Sequence, residues 1–115
     1  MILIVDDNEQ VRQTIRMMIE DIESNICECD DGSKAFTAFV ENKPDWVLMD
    51  LAMTGLDGLT ATRQIVASYP LAKIVIVTSY DDPKLRLAAT DAGASDYVVK
   101  ENLIELRRVL GCGKD

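Results

Sequence analysis

The chain contains no histidine at all. That absence removes Ser-His and Cys-His nucleophile pairs, His-ligated zinc and any phosphohistidine formed on this chain. Any chemistry here must be carried by carboxylates, hydroxyls and lysine. Basic residues are scarce, with 12 Lys and Arg against 20 Asp and Glu for a net charge of −8. Direct nucleic acid binding by phosphate neutralisation is therefore not expected of this domain. Long apolar runs are missing too, and no stretch nears the ~18 residues of a membrane span. The opening Met1-Ile-Leu-Ile-Val is too short for a signal-peptide core and has no basic flank. A cytoplasmic chain without membrane contact is expected. Three cysteines form no even-numbered disulfide pattern. Cys27 and Cys29 fall on one face of a strand, where small buried thiols are common, which is a plainer reading than metal or redox use. Repeats, low-complexity tracts and linkers are absent, so residues 1–115 read as a single domain.

What is present is alternation. Hydrophobic residues make up 48% of the chain, enough for one core at this length. Short β-rich apolar runs lie at residues 2–5, 26–29, 46–49, 74–77 and 97–99. The first, third and fourth are uninterrupted, as in strands covered on both faces. Helical stripes lie between them. Val11, Ile15, Met18, Ile19 and Ile22 form one, and Ala35, Phe36, Phe39 and Val40 a second. Leu59, Thr62, Ile65 and Val66 form a third, Leu85, Ala88, Ala89 and Ala92 a fourth, and Leu103, Leu106, Val109 and Leu110 a fifth. Asn8, Asp31 or Ser33, Asp57, and Asp82 before Pro83 are the expected N-caps, with Gly93 and Gly111 at helix ends. Five strands alternating with five helices predict an α/β fold, a doubly wound parallel sheet with helices on both faces. Its working site is expected beyond the carboxyl ends of the central strands.

Those ends carry complementary groups. The first strand ends at Asp6-Asp7, the third at Asp50, the fourth at Thr78-Ser79 and the fifth at Lys100. Each alone reads as a solvated strand end. Together, three carboxylates on one rim repel one another and call for a cation. Hard oxygen donors without His or Cys suit magnesium, which leaves positions open for phosphate oxygens. Lys100 and Thr78 add a positive charge and a hydroxyl, making an electrostatic cradle for a phosphoryl group. Asp50 is the favoured acceptor, because a metal on the Asp6-Asp7 pair leaves Asp50 an oxygen free to attack. Trp46 shares the strand of Asp50 and is expected to report metal binding. Lys100→Ala and Thr78→Ala are expected to fold, with only a small stability loss for the former.

The segments "ILIVDDN", "PDWVLMDLAMTGLDG", "IVIVTSYDD" and "AGASDYVVK" resemble, in order and spacing, the response-regulator receiver domain of two-component signalling. The resemblance implies a flavodoxin-like sheet of strand order 2-1-3-4-5. It implies Asp50 as phosphoryl acceptor, Asp7 as direct magnesium ligand, Asp6 reaching the metal through water, and the main-chain carbonyl of Ala52 as a further ligand. Thr78 corresponds to the switch hydroxyl, Lys100 to the lysine that pairs with the phosphoryl group, and Tyr97 to an aromatic that moves inward when Thr78 is engaged. Without the resemblance, Tyr97 reads as a β-strand aromatic half packed on the last helix. Thr54 stands where the family most often has proline, which implies a less rigid loop. Glu101 replaces a common proline after the lysine, which removes the cis peptide expected there. The Lys-Glu variant looks most like receivers of helix-turn-helix regulators of the LuxR type.

The implied function is a signalling domain rather than a turnover enzyme. A sensor histidine kinase or phosphotransfer protein would phosphorylate Asp50. The face of the fourth helix, fifth strand and fifth helix would then switch, forming a homodimer surface and passing the signal to a transcriptional output domain. The alternative is a stand-alone receiver acting through protein contacts or as a phosphorelay intermediate. A magnesium-dependent phosphatase would want an acid two residues beyond its nucleophile, where this chain has Ala52. A degenerate receiver would have lost the acid pair, Asp50 or Lys100, and a nucleotide- or flavin-binding domain would want a Gly-rich or Ser/Thr-rich first loop, where "DDNEQ" is acidic.

Overall fold

The computed structural model describes residues 1–53 and 55–111, so Thr54 and Cys112 lie outside the described residues. Five strands, β1 (Ile2–Val5), β2 (Ile26–Cys29), β3 (Trp46–Met49), β4 (Ile74–Thr78) and β5 (Asp96–Val99), form one sheet of order β2-β1-β3-β4-β5. All four pairings are parallel. The uninterrupted apolar runs prove to be the three central strands. β1 and β4 are buried throughout, whereas the edge strands β2 and β5 bury only part of their length. β4 extends one residue past the apolar run because Thr78 pairs with Val99, and β5 starts one residue earlier because Asp96 pairs with Val75.

The helices are α1 (Glu9–Ile19), α2 (Ala35–Asn42), α3 (Gly58–Ser68), α4 (Pro83–Ala92) and α5 (Ile104–Val109). Side-chain oxygens of Asn8, Asp57 and Asp82 accept from backbone N–H groups of the first turns of α1, α3 and α4, as their sequence positions predict. Asp31 instead caps a 3-10 turn, Gly32–Lys34, that leads into α2. A second 3-10 turn, Lys100–Asn102, precedes α5. Gly93 ends α4 at φ 106°, a conformation that would strain any other residue.

Side chains alternate between two apolar layers. Leu3, Val5, Val47, Met49, Ile74 and Ile76 pack with Ala35, Phe39, Ala61, Ile65 and Ala89 of α2, α3 and α4. Ile2, Ile4, Leu48, Val75, Val77 and Val98 pack with Ile15, Ile19 and Leu106 of α1 and α5. Burying one such aliphatic side chain stabilises the fold by about 1.5–3 kcal/mol, so the sheet is a rigid platform for whatever stands at its ends. Among the described residues no helix is long and apolar enough to cross a membrane.

Candidate functional site

Register places the acids. Val5 pairs with Met49, so the next residue on each strand, Asp6 and Asp50, emerges at the same carboxyl end. The ladder continues into both, with Asp50 N–H donating to the Val5 carbonyl at 2.9 Å and Asp6 N–H to the Cys29 carbonyl at 3.0 Å. Gly58, the first residue of α3, lies so close to Asp50 that a Cβ there would sit 1.9 Å from the Asp50 carbonyl oxygen. A side chain at position 58 would push the helix off the strand end.

The carboxylates of Asp6, Asp7 and Asp50 each offer an oxygen within 4.8 Å of the others. Asp6 is 1% exposed and Asp50 is 7% exposed, while Asp7 faces solvent. Lys100 reaches in from the turn after β5, its Nζ 3.0 Å from Asp6 Oδ2 and 3.2 Å from Asp50 Oδ1. Asp6 Oδ2 makes no hydrogen bond of good geometry and relies on that ammonium as counter-charge. Asp6 Oδ1 accepts from the Asn8 N–H at 2.9 Å.

Burial pushes the Asp50 carboxyl above the usual carboxylate range, and repulsion from Asp6 adds to it, partly offset by Lys100. Burial works against the Lys100 ammonium, but its close contact with Asp6 and the charges of Asp50 and Asp6 outweigh that and hold it above the ordinary lysine value. Lys100 thus faces the two buried carboxylates, with the Asp7 carboxylate close beside them. The excess of negative charge and the purely oxygen donor set fit a hard divalent cation such as magnesium. Lys100 compensates two buried acids already at rest, the contact behind the stability loss expected on its removal.

Thr78 is 1% exposed, and its hydroxyl accepts from the Tyr80 N–H at 3.3 Å. Tyr97 donates its hydroxyl to the carbonyl of the same Tyr80, and the Arg86 guanidinium lies 4.6 Å from its ring centre. The two residues that resemblance pairs as a switch are therefore joined through Tyr80, a link the sequence did not disclose. Ala52 lies exposed in the loop after β3. The structure thus brings Asp6, Asp7, Asp50 and Lys100 together, with Thr78 at the end of the adjacent strand and Tyr97 one step further out. A wider groove along β2 and α2, lined by Cys27, Ser33, Lys34 and Glu41 among others, does not reach Asp50. Sequence reasoning also missed Arg12, whose Nη1 donates to the Asp6 carbonyl at 2.7 Å. Its one signal is its place beside the apolar stripe of the helix that follows Asp6-Asp7.

The family model of the response regulator receiver domain matches residues 2–110. The transcriptional regulatory protein LiaR of Bacillus subtilis is 40% identical over 102 residues, which cover 86% of this chain and 48% of that protein. The response regulator GacA of Pseudomonas aeruginosa is 35% identical over 119 residues, covering 98% of this chain and 56% of its own length. The chain spans about half the length of the curated relatives it matches. Among solved structures, a LuxR-family two-component response regulator from an Aurantimonas species matches with a TM-score of 0.87 at 35% identity, over 96% of this chain and 81% of that one. The response regulator domain of Thermotoga maritima CheB, at 24% identity and a TM-score of 0.83 over 95% of this chain and 91% of that one, shares the fold.

Proposed function

The chain belongs to the response-regulator receiver domain family, and from that premise we propose that it accepts a phosphoryl group on Asp50 from the phosphohistidine of a sensor kinase or phosphotransfer protein. The observation that carries this reading is the buried Asp50 carboxylate beside Lys100 Nζ at 3.2 Å and within 4.8 Å of the oxygens of Asp6 and Asp7. One Asp50 oxygen attacks phosphorus, and the phosphorus–nitrogen bond of the donor breaks with its electron pair left on the imidazole. The product is an acyl phosphate on Asp50. Magnesium bound by Asp6, Asp7, Asp50 and the Ala52 carbonyl would supply positive charge against the repulsion between these acids and the incoming anion.

Lys100 then exchanges its carboxylate partners for a phosphoryl oxygen. Thr78 turns its hydroxyl towards the same group and releases the Tyr80 N–H. Tyr97, bound to the Tyr80 carbonyl, feels that release directly and moves into the space Thr78 leaves. The face of α4, β5 and α5 shifts between two packings. That face would pair two copies and pass the signal to an output domain controlling transcription. The domain on this reading spans 1–115, acts in the cytoplasm, binds no nucleic acid itself and does not turn over substrate.

The test is intact mass after incubation with magnesium and a small phosphodonor or a phosphorylated kinase. Wild type is expected to gain one phosphoryl group that base removes, and Asp50→Asn none, because an amide oxygen is not a usable nucleophile. An equal adduct on Asp50→Asn would place the acceptor elsewhere.

A further inference from the structure

Asp6 is held from four directions, and one of them is a second cation, Arg12. Its N–H donates to the Cys29 carbonyl at 3.0 Å. Its carboxylate takes the Asn8 N–H and faces Lys100. Its carbonyl oxygen accepts from Arg12 Nη1 at 2.7 Å. The Arg12 side chain is only 13% exposed, and its Nε donates to Glu28 Oε1 at 2.7 Å. Glu28 Oε2 in turn takes Arg16 Nε at 3.0 Å and Nη2 at 2.8 Å. The fork of Arg12 therefore ties the carbonyl of Asp6 to the edge strand β2 through a carboxylate that is itself braced by a second arginine.

That carbonyl is one half of the peptide unit joining Asp6 to Asp7. The unit is planar, so fixing its oxygen fixes the direction in which Asp7 leaves the strand. We propose that Arg12, anchored by Glu28, is a positioning residue for the cation site: it holds the Asp6-Asp7 peptide so that both carboxylates converge with Asp50 on one divalent ion. This rests on the reading of the three acids as a magnesium site.

Charge and geometry predict opposite signs for its removal. Arg12 is a cation near a cation site, so by Coulomb's law alone its loss would tighten magnesium binding. If its work is positioning, its loss weakens binding. Arg16 provides the internal control, because its side chain shares Glu28 and, among the described residues, otherwise bonds the Ile26 carbonyl and not Asp6.

The experiment is calorimetric magnesium titration of wild type, Arg12→Ala and Arg16→Ala, with melting temperatures measured in parallel. The expected result is a dissociation constant about tenfold weaker in Arg12→Ala, at the low end of the ~10–100-fold seen when groups supporting metal ligands are removed. Arg16→Ala should lose similar thermal stability yet bind magnesium as wild type does. Unchanged or tighter binding in Arg12→Ala overturns the proposal, as does equal weakening in Arg16→Ala. No magnesium binding by wild type would instead sink the metal-site reading, and the proposal with it. Should Arg12→Ala fail to fold, Arg12→Lys keeps stem and charge but not the fork that reaches Asp6 and Glu28 together. Wild-type magnesium affinity in that variant would overturn the proposal equally.

Discussion

The two ends of the sheet are made of the same strands and handle charge in opposite ways. At the amino ends, charges meet opposite partners near the surface. The Met1 amine lies 3.0 Å from Glu23 and 2.7 Å from Asp45, and Lys73 stands over the Trp46 ring at 4.9 Å. At the carboxyl ends, Asp6 and Asp50 are buried beside Asp7, with one ammonium among them. Exposed pairs of the first kind contribute about 0–1 kcal/mol each. Buried like charges of the second kind oppose folding, and a protein retains them where a ligand relieves them. The comparison also corrects the use of Trp46 as a reporter: it begins β3 whereas Asp50 follows its end, so its ring sits at the end of the sheet away from the acids.

The sharpest way to break this contrast is to remove the one compensating charge. Lys100→Ala should destabilise the protein by about 2 kcal/mol, below the 3–5 kcal/mol of a fully buried broken pair because the lysine side chain is 19% exposed. Denaturant melts would measure this, and added magnesium should restore part of the loss. No loss at all would mean the acids do not need Lys100 at rest.

Magnesium on wild type is the next largest effect. At ten times the dissociation constant it should stabilise the fold by about 1.4 kcal/mol, read as a rise in melting temperature. Asp7→Asn should abolish most of that rise, and an undiminished rise would remove Asp7 from the site.

Asp50→Asn should stabilise the metal-free protein by about 1 kcal/mol at neutral pH, since it deletes one of three crowded charges. The folded-state pKa of Asp50 lies above its unfolded value, so its penalty is absent below the ordinary carboxylate range and grows as pH rises through the folded value. The advantage of the asparagine variant should therefore appear on raising the pH and vanish on acidification. Melting curves across that range test it, and a difference independent of pH would remove charge as the cause.

The smallest effect is expected at the opposite end. Asp45→Asn deletes a carboxylate of the same kind, yet it should leave the melting temperature nearly unchanged, because Asp45 is exposed and the amine keeps Glu23. A stabilisation matching that of Asp50→Asn would dissolve the contrast between the two ends.

Much of this architecture was written in local pattern. The uninterrupted runs of β1, β3 and β4 announced central strands, and the caps at Asn8, Asp57 and Asp82 each satisfy a neighbour two or three residues away. The strand-end acids were legible for the same reason, since each simply follows an apolar run. The 3-10 turns at Gly32–Lys34 and Lys100–Asn102 were not, because three-residue turns leave no periodicity to read.

The sequence by itself determined which residues stand at the carboxyl ends of the strands, because that depends only on order along the chain. Tertiary structure alone decided how those residues are partnered. Lys100 reaches Asp6 across 94 positions of chain, Arg12 takes the carbonyl of Asp6 while gripping Glu28 on the edge strand, and Tyr97 finds the backbone of Tyr80, with Thr78 on its other side. Composition shows an ammonium and an excess of acids. Only the parallel register, which sets the strands' carboxyl ends side by side, brings them within 3.0–3.2 Å and turns a surplus of charge into a site.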